Sequence, residues 1–303
     1  MPELITSPSN PKVKRLLALQ QKSSERRERG LFVVEGRREL QHCIDAGFEV
    51  DTVFVCPALL SSASAVETAA APENRSHPRL RKREGPADEV SGRGPAQPDV
   101  FRGWLPRNEG RTKEFEVSEE VYAKIAMREG TEGVIAEVRM PERRLEDLPL
   151  PRNPLVVVLE RVEKPGNLGA VLRSADAAGA DAVLVCDPLT DLWNPNLIRA
   201  SVGAVFTVPC AACSSAEAIA FLKARGIRIL TAQLQDSSLY YDCDMTVGTA
   251  LVMGTESTGL TGQWREAADA HIRIPMLGRL DSLNVSVSAA ILLFEAVRQR
   301  QHG

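Results

Sequence analysis

The sequence predicts an α/β protein in two parts, and three observations carry that reading. From Leu155 to Arg300, short apolar runs alternate with helix-length segments, the pattern of a mostly parallel sheet with helices on both faces. Leu31 to Cys56 reads as a shorter strand–helix–strand opening, which marks a separate small α/β module. At 303 residues the chain also exceeds one ordinary domain.

Residues 8–29 open with turn formers and continue as a basic helix, in which Leu16, Leu17 and Leu19 form a small apolar face. Leu31–Val34 is a short buried strand, Arg37–Ala46 a helix and Val50–Cys56 a second strand. From 68 to 113 Pro, Gly, Arg and Ser replace apolar residues, so this stretch is expected to be an inserted, largely disordered loop. Order resumes with a strand at Phe115–Val117, a helix capped by Ser118, and a strand at Gly133–Val138. The expected units are 1–140, a linker at 141–153 rich in proline and mixed charge, and 154–303. In the last of these, strands are predicted at Leu155–Leu159, Ala182–Cys186, Ala204–Val208, Arg228–Leu230, Ala250–Met253 and Ile272–Ile274. Helices are predicted at Leu168–Ala178, Asn194–Ser201, Ser215–Arg225, Thr261–Ala268 and Val285–Arg300.

Composition excludes more than it selects. Net charge is −3, so the chain as a whole carries no basic signature. Its distribution is uneven: residues 1–40 hold nine Lys and Arg against five acidic residues, whereas 41–74 hold five acidic residues and no Lys or Arg. Lys12, Lys14, Arg15 and Arg37 therefore offer a local basic surface for RNA phosphates, or a solvated helix face. No apolar run reaches the roughly 18 residues of a membrane span and the N-terminus lacks a signal-like core, so cytoplasmic residence is expected. The six cysteines are scattered, and Cys210-Ala211-Ala212-Cys213 has no second pair at zinc-ligand spacing. No metal is expected.

Three strand-end loops hold the unusual residues. Glu163-Lys164-Pro165-Gly166-Asn167-Leu168-Gly169 enters the helix bearing Arg173. Two glycines there permit close backbone approach, but the G-x-G-x-x-G spacing of a dinucleotide site is absent. Gly254-Thr255-Glu256-Ser257-Thr258-Gly259 follows a buried strand. Ile274-Pro275-Met276 then leads through a polar turn to Ser282-Leu283-Asn284 and a long apolar helix. Ser282 and Asn284 stand where helix N-caps are expected, and a helix start beside a strand end is also where α/β proteins place ligands.

Together, Asn167 and Arg173, then Gly254 and Glu256, then Ser282 and Asn284 resemble the three motifs of the SpoU family of knotted RNA methyltransferases, in order and across about residues 153–300. SLNVSVSAAILLFEAVRQR is the most specific part of that match. FVVEGRRELQHCIDAGFEVDTVFV, with KIAMREGTEGVIAEV after the insert, is similar to the substrate-binding domain of the ribosomal RNA members. The insert departs from the family pattern.

The resemblance implies a trefoil-knotted C-terminal domain that transfers methyl from S-adenosyl-L-methionine to a ribose 2′-oxygen of RNA, most often 23S ribosomal RNA. A transfer RNA enzyme of the same family, or a non-catalytic ribosome assembly factor, stays open. It further implies a homodimer, cofactor contacts at Gly254, Ile274, Met276 and Leu283, and catalytic parts for Arg173, Asn167, Glu256, Ser282 and Asn284. Arg173 is the implied base. A guanidinium gives up a proton reluctantly, so the reading from chemistry is that Arg173 contacts the hydroxyl and its adjoining phosphate and passes the proton onward.

Overall fold

The computed structural model describes residues 2–60, 112–128, 132–255, 258–279 and 282–302. The expected insert therefore lies outside the described residues except for Thr112 and Lys113, and Lys113 already begins a strand.

Asn10 caps the first helix by accepting from Lys12 N at 2.9 Å, and Pro11 supplies the preset first-turn backbone. The basic helix expected as one piece is two, α1 (Pro11–Gln21) and α2 (Ser23–Arg29), because Lys22 is extended between them. Gly30 ends α2 in the left-handed conformation, φ 61°. A five-stranded sheet follows, built from β1 (Glu3–Ile5), β2 (Leu31–Glu35), β3 (Val50–Val55), β4 (Lys113–Val117) and β5 (Val134–Arg139) in the order β1-β4-β3-β5-β2. β5 pairs antiparallel with β2 and β3, and the remaining pairs are parallel. Helices α3 (Arg37–Asp45) and α4 (Glu119–Ile125) complete this part.

The second sheet has seven strands, all pairs parallel: β6 (Leu155–Glu160), β7 (Ala182–Cys186), β8 (Cys210–Cys213), β9 (Arg228–Ala232), β10 (Ser238–Leu239), β11 (Thr249–Met253) and β12 (Ala270–Arg273). Their order is β10-β12-β9-β11-β6-β7-β8. The helices are α5 (Pro165–Ala178), α6 (Pro195–Ser201), α7 (Ala204–Thr207), α8 (Ser215–Ala224), α9 (Gly262–Ala267) and α10 (Val285–His302). Alternate residues of β6 feed opposite faces. Val157 and Leu159 meet Leu168, Leu172, Leu292 and Leu293 of α5 and α10, while Val156 and Val158 meet Leu222 and Trp264 of α8 and α9.

One strand is misplaced by the sequence reading. Residues 204–207 form the helical turn α7, and the strand falls after Pro209, at β8. A short apolar run fits either state by pattern alone. Here Val202 and Gly203 turn the chain at φ 55° and 85°, and Pro209 N cannot donate to a ladder although its carbonyl accepts from Val183 N at 2.9 Å. The shift also explains the CxxC. Residues three apart on a strand face opposite sides, so Cys210 enters one core layer and Cys213 borders the other, beside Cys186 at 3.8 Å. Among the described residues no group of three or more His, Cys, Asp or Glu could hold a metal ion, and no helix is long and apolar enough to cross a membrane.

The two sheets share one hydrophobic core. Phe32, Val34, Leu40 and Val53 belong to the same buried cluster as Val157, Trp193 and Phe206. Phe32 stacks on Trp193 with ring centroids 4.6 Å apart, and Phe48 meets Phe206 edge-on at 5.2 Å. The segment expected to be a linker is packed: Leu145 and Leu148 are buried in the second layer, and the Arg143 guanidinium lies 5.1 Å from the Phe48 ring and 5.3 Å from that of Trp193.

Candidate active site

Three loops meet at one edge of the parallel sheet. β6, β11, β9 and β12 are neighbours, so the segments leaving β6, β11 and β12 emerge from their C-terminal ends on the same side, where open α/β sheets place ligands. These are the three segments singled out in the sequence.

The first enters α5, whose Leu168, Val171, Leu172 and Ala175 point inward. Gly169 lets α5 cross α6 without an intervening side chain: a Cβ there would stand 2.6 Å from Ala200 Cβ and 2.8 Å from the Ser201 nitrogen. Arg173 follows one turn later and lines a cavity with Ser201, Val202 and Gly203. Asn167 faces the third segment. Asn284 Nδ2 donates to its Oδ1 at 3.2 Å, across 117 residues of chain. The same Asn284 uses its own Oδ1 to accept from Ser286 N at 3.0 Å and Ser286 Oγ at 2.6 Å, so it caps α10 and bridges to α5 at once.

The second segment doubles back on itself. Gly259 N donates to Thr255 O at 3.0 Å, and Thr258 N to Thr255 Oγ1 at 3.1 Å. A Cβ on Gly254 would lie 2.3 Å from the backbone carbon and oxygen of Gly259, so glycine is sterically required. Glu256 lies outside the described residues. Ile274 packs against the main core layer; Met276 and Leu283 are half-buried, and Ser282 is exposed. Asn167, Asn284, Gly254, Ile274, Met276, Ser282 and Leu283 therefore lie on segments at one sheet edge, whereas Arg173 opens toward the cleft beside the smaller sheet.

The expected RNA-facing residues are placed unevenly. Arg15 is turned inward: it pairs through both guanidinium ends with Glu137, a carboxylate with no exposed side-chain surface, and reaches Thr52 Oγ1 at 3.4 Å. Burial pushes the Glu137 carboxyl up, and the hydrogen bond and charge of Arg15 act against it. Lys12 pairs with Glu3 at 2.7 Å and lies 4.1 Å from the Phe115 ring centroid. Arg37, at the start of α3, reaches Leu60 O at 3.4 Å. Lys14 stands exposed.

Sequence reasoning missed the groups on the cleft between the sheets. Arg26, only 3% exposed, pairs with Asp191 at 2.5 Å and donates to Leu19 O at 2.6 Å, locking α2 against the loop before α6. Glu35 takes an N–H from Met127 at 3.0 Å, with Arg128 and Arg199 nearby. His42 of α3 reaches across to Gly203. A helix pattern shows which residues face out, but not which of them meet a second sheet.

Comparison with known proteins gives the family and the fold. The SpoU rRNA Methylase family matches residues 154–294, and the MRM3-like substrate binding domain matches 10–82. The 23S rRNA (uridine(2479)-2′-O)-methyltransferase of Streptomyces viridochromogenes is 33% identical over 200 residues, 64% of this chain and 70% of that protein. The chain belongs to the SpoU rRNA methylase family. A crystal structure of an RNA 2′-O ribose methyltransferase superposes with a TM-score of 0.73 at 36% identity, covering 98% of this chain and 99% of the other. The SpoU methyltransferase AviRb from Streptomyces viridochromogenes, solved in complex with the cofactor AdoMet, superposes with a TM-score of 0.76 at 27% identity, covering 97% of this chain and 100% of the other. The Asn167, Gly254 and Asn284 segments, which the sequence likens to three motifs of that family, lie together at one edge of the parallel sheet.

Proposed function

We propose that this chain is an S-adenosyl-L-methionine-dependent RNA 2′-O-ribose methyltransferase acting on 23S ribosomal RNA in the cytoplasm. The observation that carries the reading is the Asn284–Asn167 hydrogen bond, which ties the third family motif to the first beside the Gly254 turn. Residues 1–140 serve as the substrate-binding part and 154–303 as the methyltransferase part, with the third motif threaded as a trefoil knot. The working form is a homodimer.

The residues at the sheet edge fit the cofactor. Gly254 exposes bare backbone in a tight turn, and Ile274, Met276 and Leu283 add half-buried apolar surface, the mixture of apolar wall and backbone partner that suits an adenosyl group. When bound, S-adenosylmethionine supplies a methyl group already activated by positive sulfur. The protein's part is then placement, which is worth on the order of 7–11 kcal/mol in good cases. Asn167 and Asn284 hold the two motif segments at a common distance. Arg173 contacts the target hydroxyl and adjoining phosphate, holds the ribose in line and relays the released proton; Glu256 and Ser282 complete the loops around it. Lys12, Lys14, Arg15 and Arg37 belong to the RNA-facing side of the smaller sheet, with Arg15 and Lys12 acting through the partners they already hold.

Transfer of labelled methyl to unmodified 23S ribosomal RNA, with the modified ribose mapped, tests the reading directly. Arg173→Ala is expected to lower transfer by about 100-fold or more while cofactor affinity, measured by calorimetry, stays within a few-fold. Transfer by this variant at the wild-type rate would remove Arg173 from the chemistry.

A further inference from the structure

The cleft between the two sheets holds a cavity of about 240 Å³, lined by Arg173 and Asp176 of α5, Ser201 to Ala204 and Thr207 around α7, and His42 of α3. It is smaller than a whole small-molecule pocket, typically about 300–1,000 Å³, and matches a single nucleotide unit better than a stretch of chain. We propose that this cavity seats the phosphate and sugar adjoining the methylated ribose, and that His42 is a substrate-positioning residue contributed by the smaller sheet. The inference rests on the RNA methyltransferase reading and adds to it a residue that none of the family motifs contains.

Four features of the cavity support it. Arg173 and His42 line the cavity from α5 and α3, helices of the two different parts, so a phosphate between them takes one donor from each part. Two polar groups of the lining already hold partners within the protein. Asp176 Oδ1 accepts from Thr207 Oγ1 at 2.8 Å, and Ser201 Oγ donates to Ile198 O at 2.8 Å. The floor is held in an unusual backbone shape: Val202, β-branched, sits at φ 55° and Gly203 at 85°. A β-branched residue rarely adopts that conformation, and such strain concentrates at ligand sites. Finally, Gly203 makes room for His42. A Cβ there would lie 3.0 Å from His42 Cδ2 and 3.2 Å from its Cβ, so the bare glycine lets the imidazole lie against the turn. A neutral imidazole still carries one N–H, which suffices to donate to a phosphate oxygen.

The test compares wild type with His42→Phe, which keeps a flat ring without a donor, and His42→Gln, which restores a donor. The probes are an in-vitro transcript of 23S ribosomal RNA, for both binding and methyl transfer, and S-adenosylmethionine alone. The expected result is that His42→Phe weakens transcript binding and raises KM about tenfold, the loss of one hydrogen bond to a charged group. kcat stays within about twofold, and cofactor affinity and melting temperature are unchanged. His42→Gln recovers most of the loss. A purely structural role for His42 would instead lower the melting temperature, move kcat with KM, and gain nothing from Gln. Equal binding of the transcript by wild type and His42→Phe overturns the proposal, as does loss of binding without recovery in His42→Gln. Because binding is read apart from transfer, the two failures differ: a wild-type chain that binds the transcript but transfers no methyl would refute the enzymatic reading and with it the seat beside a methylated ribose, whereas equal binding by His42→Phe in a chain that does transfer methyl would overturn the cavity proposal alone.

Discussion

Gly254 shows how far a single residue constrains this site. Its missing side chain is what allows the 254–259 turn to close, with Gly259 backbone at 2.3 Å from where a Cβ would be. Gly254→Ala is expected to cost about 1–3 kcal/mol of stability through overpacking, and to weaken cofactor binding more than RNA binding. Urea unfolding and calorimetry separate the two effects. Glu35 gives a pH-dependent prediction. Burial pushes its carboxyl above the ordinary value, against the pull of the Met127 N–H, Arg128 and Arg199. The folded state thus holds this proton more tightly than the unfolded state does. Its contribution to stability is full below the unfolded value near ~4.3 and is lost as pH rises through the folded value. Glu35→Gln, which carries no charge, should melt above wild type at about pH 7 and lose that advantage toward about pH 4. An advantage that grows toward acid in melting curves would contradict the burial argument.

At the scale of elements, α2 and α10 are fixed by side chains that collect backbone carbonyls. Arg26 serves Leu19 and Gln20 at the end of α1 while pairing with Asp191. Near the C-terminal end of α10, Arg300 donates to Met245, Asn153, Pro154 and Val247 carbonyls, which tie the helix to both ends of the segment it crosses. Arg26→Met leaves Asp191 without that guanidinium in a largely buried setting, and a loss of about 3–5 kcal/mol is expected in urea unfolding. A loss below about 1 kcal/mol would mean that the pair behaves as an exposed one.

The whole molecule unfolds as its core dictates. Phe32 and Phe48 from the N-terminal part, and Trp193 and Phe206 from the C-terminal part, form one aromatic cluster inside a continuous hydrophobic layer. Calorimetry is therefore expected to show a single cooperative transition for the two sheets rather than two. Trp193→Ala, which removes the shared ring, is expected to destabilise by about 3–5 kcal/mol. Two separate transitions in the wild-type chain would refute the shared core. The shared layer also bears on function, because it holds His42 and Arg173 in the lining of one cavity instead of on parts free to drift.

By itself, the sequence determined most of the elements and the identity of the three loops, since apolar periodicity, caps such as Ser118, and the Gly254 and Asn167 segments are local signals. It determined the family through the same residues. The tertiary structure decided what local pattern leaves open. Ala204–Val208 became a helical turn because of the backbone at Val202–Gly203, and the strand moved past Pro209. Arg15 turned toward Glu137 because a fully buried carboxylate needs a cation within reach, a demand set by residues 122 positions away. His42 and Arg173 line one cavity because the aromatic seam sets the distance between the two parts, and packing between distant segments leaves no mark on the spacing of either.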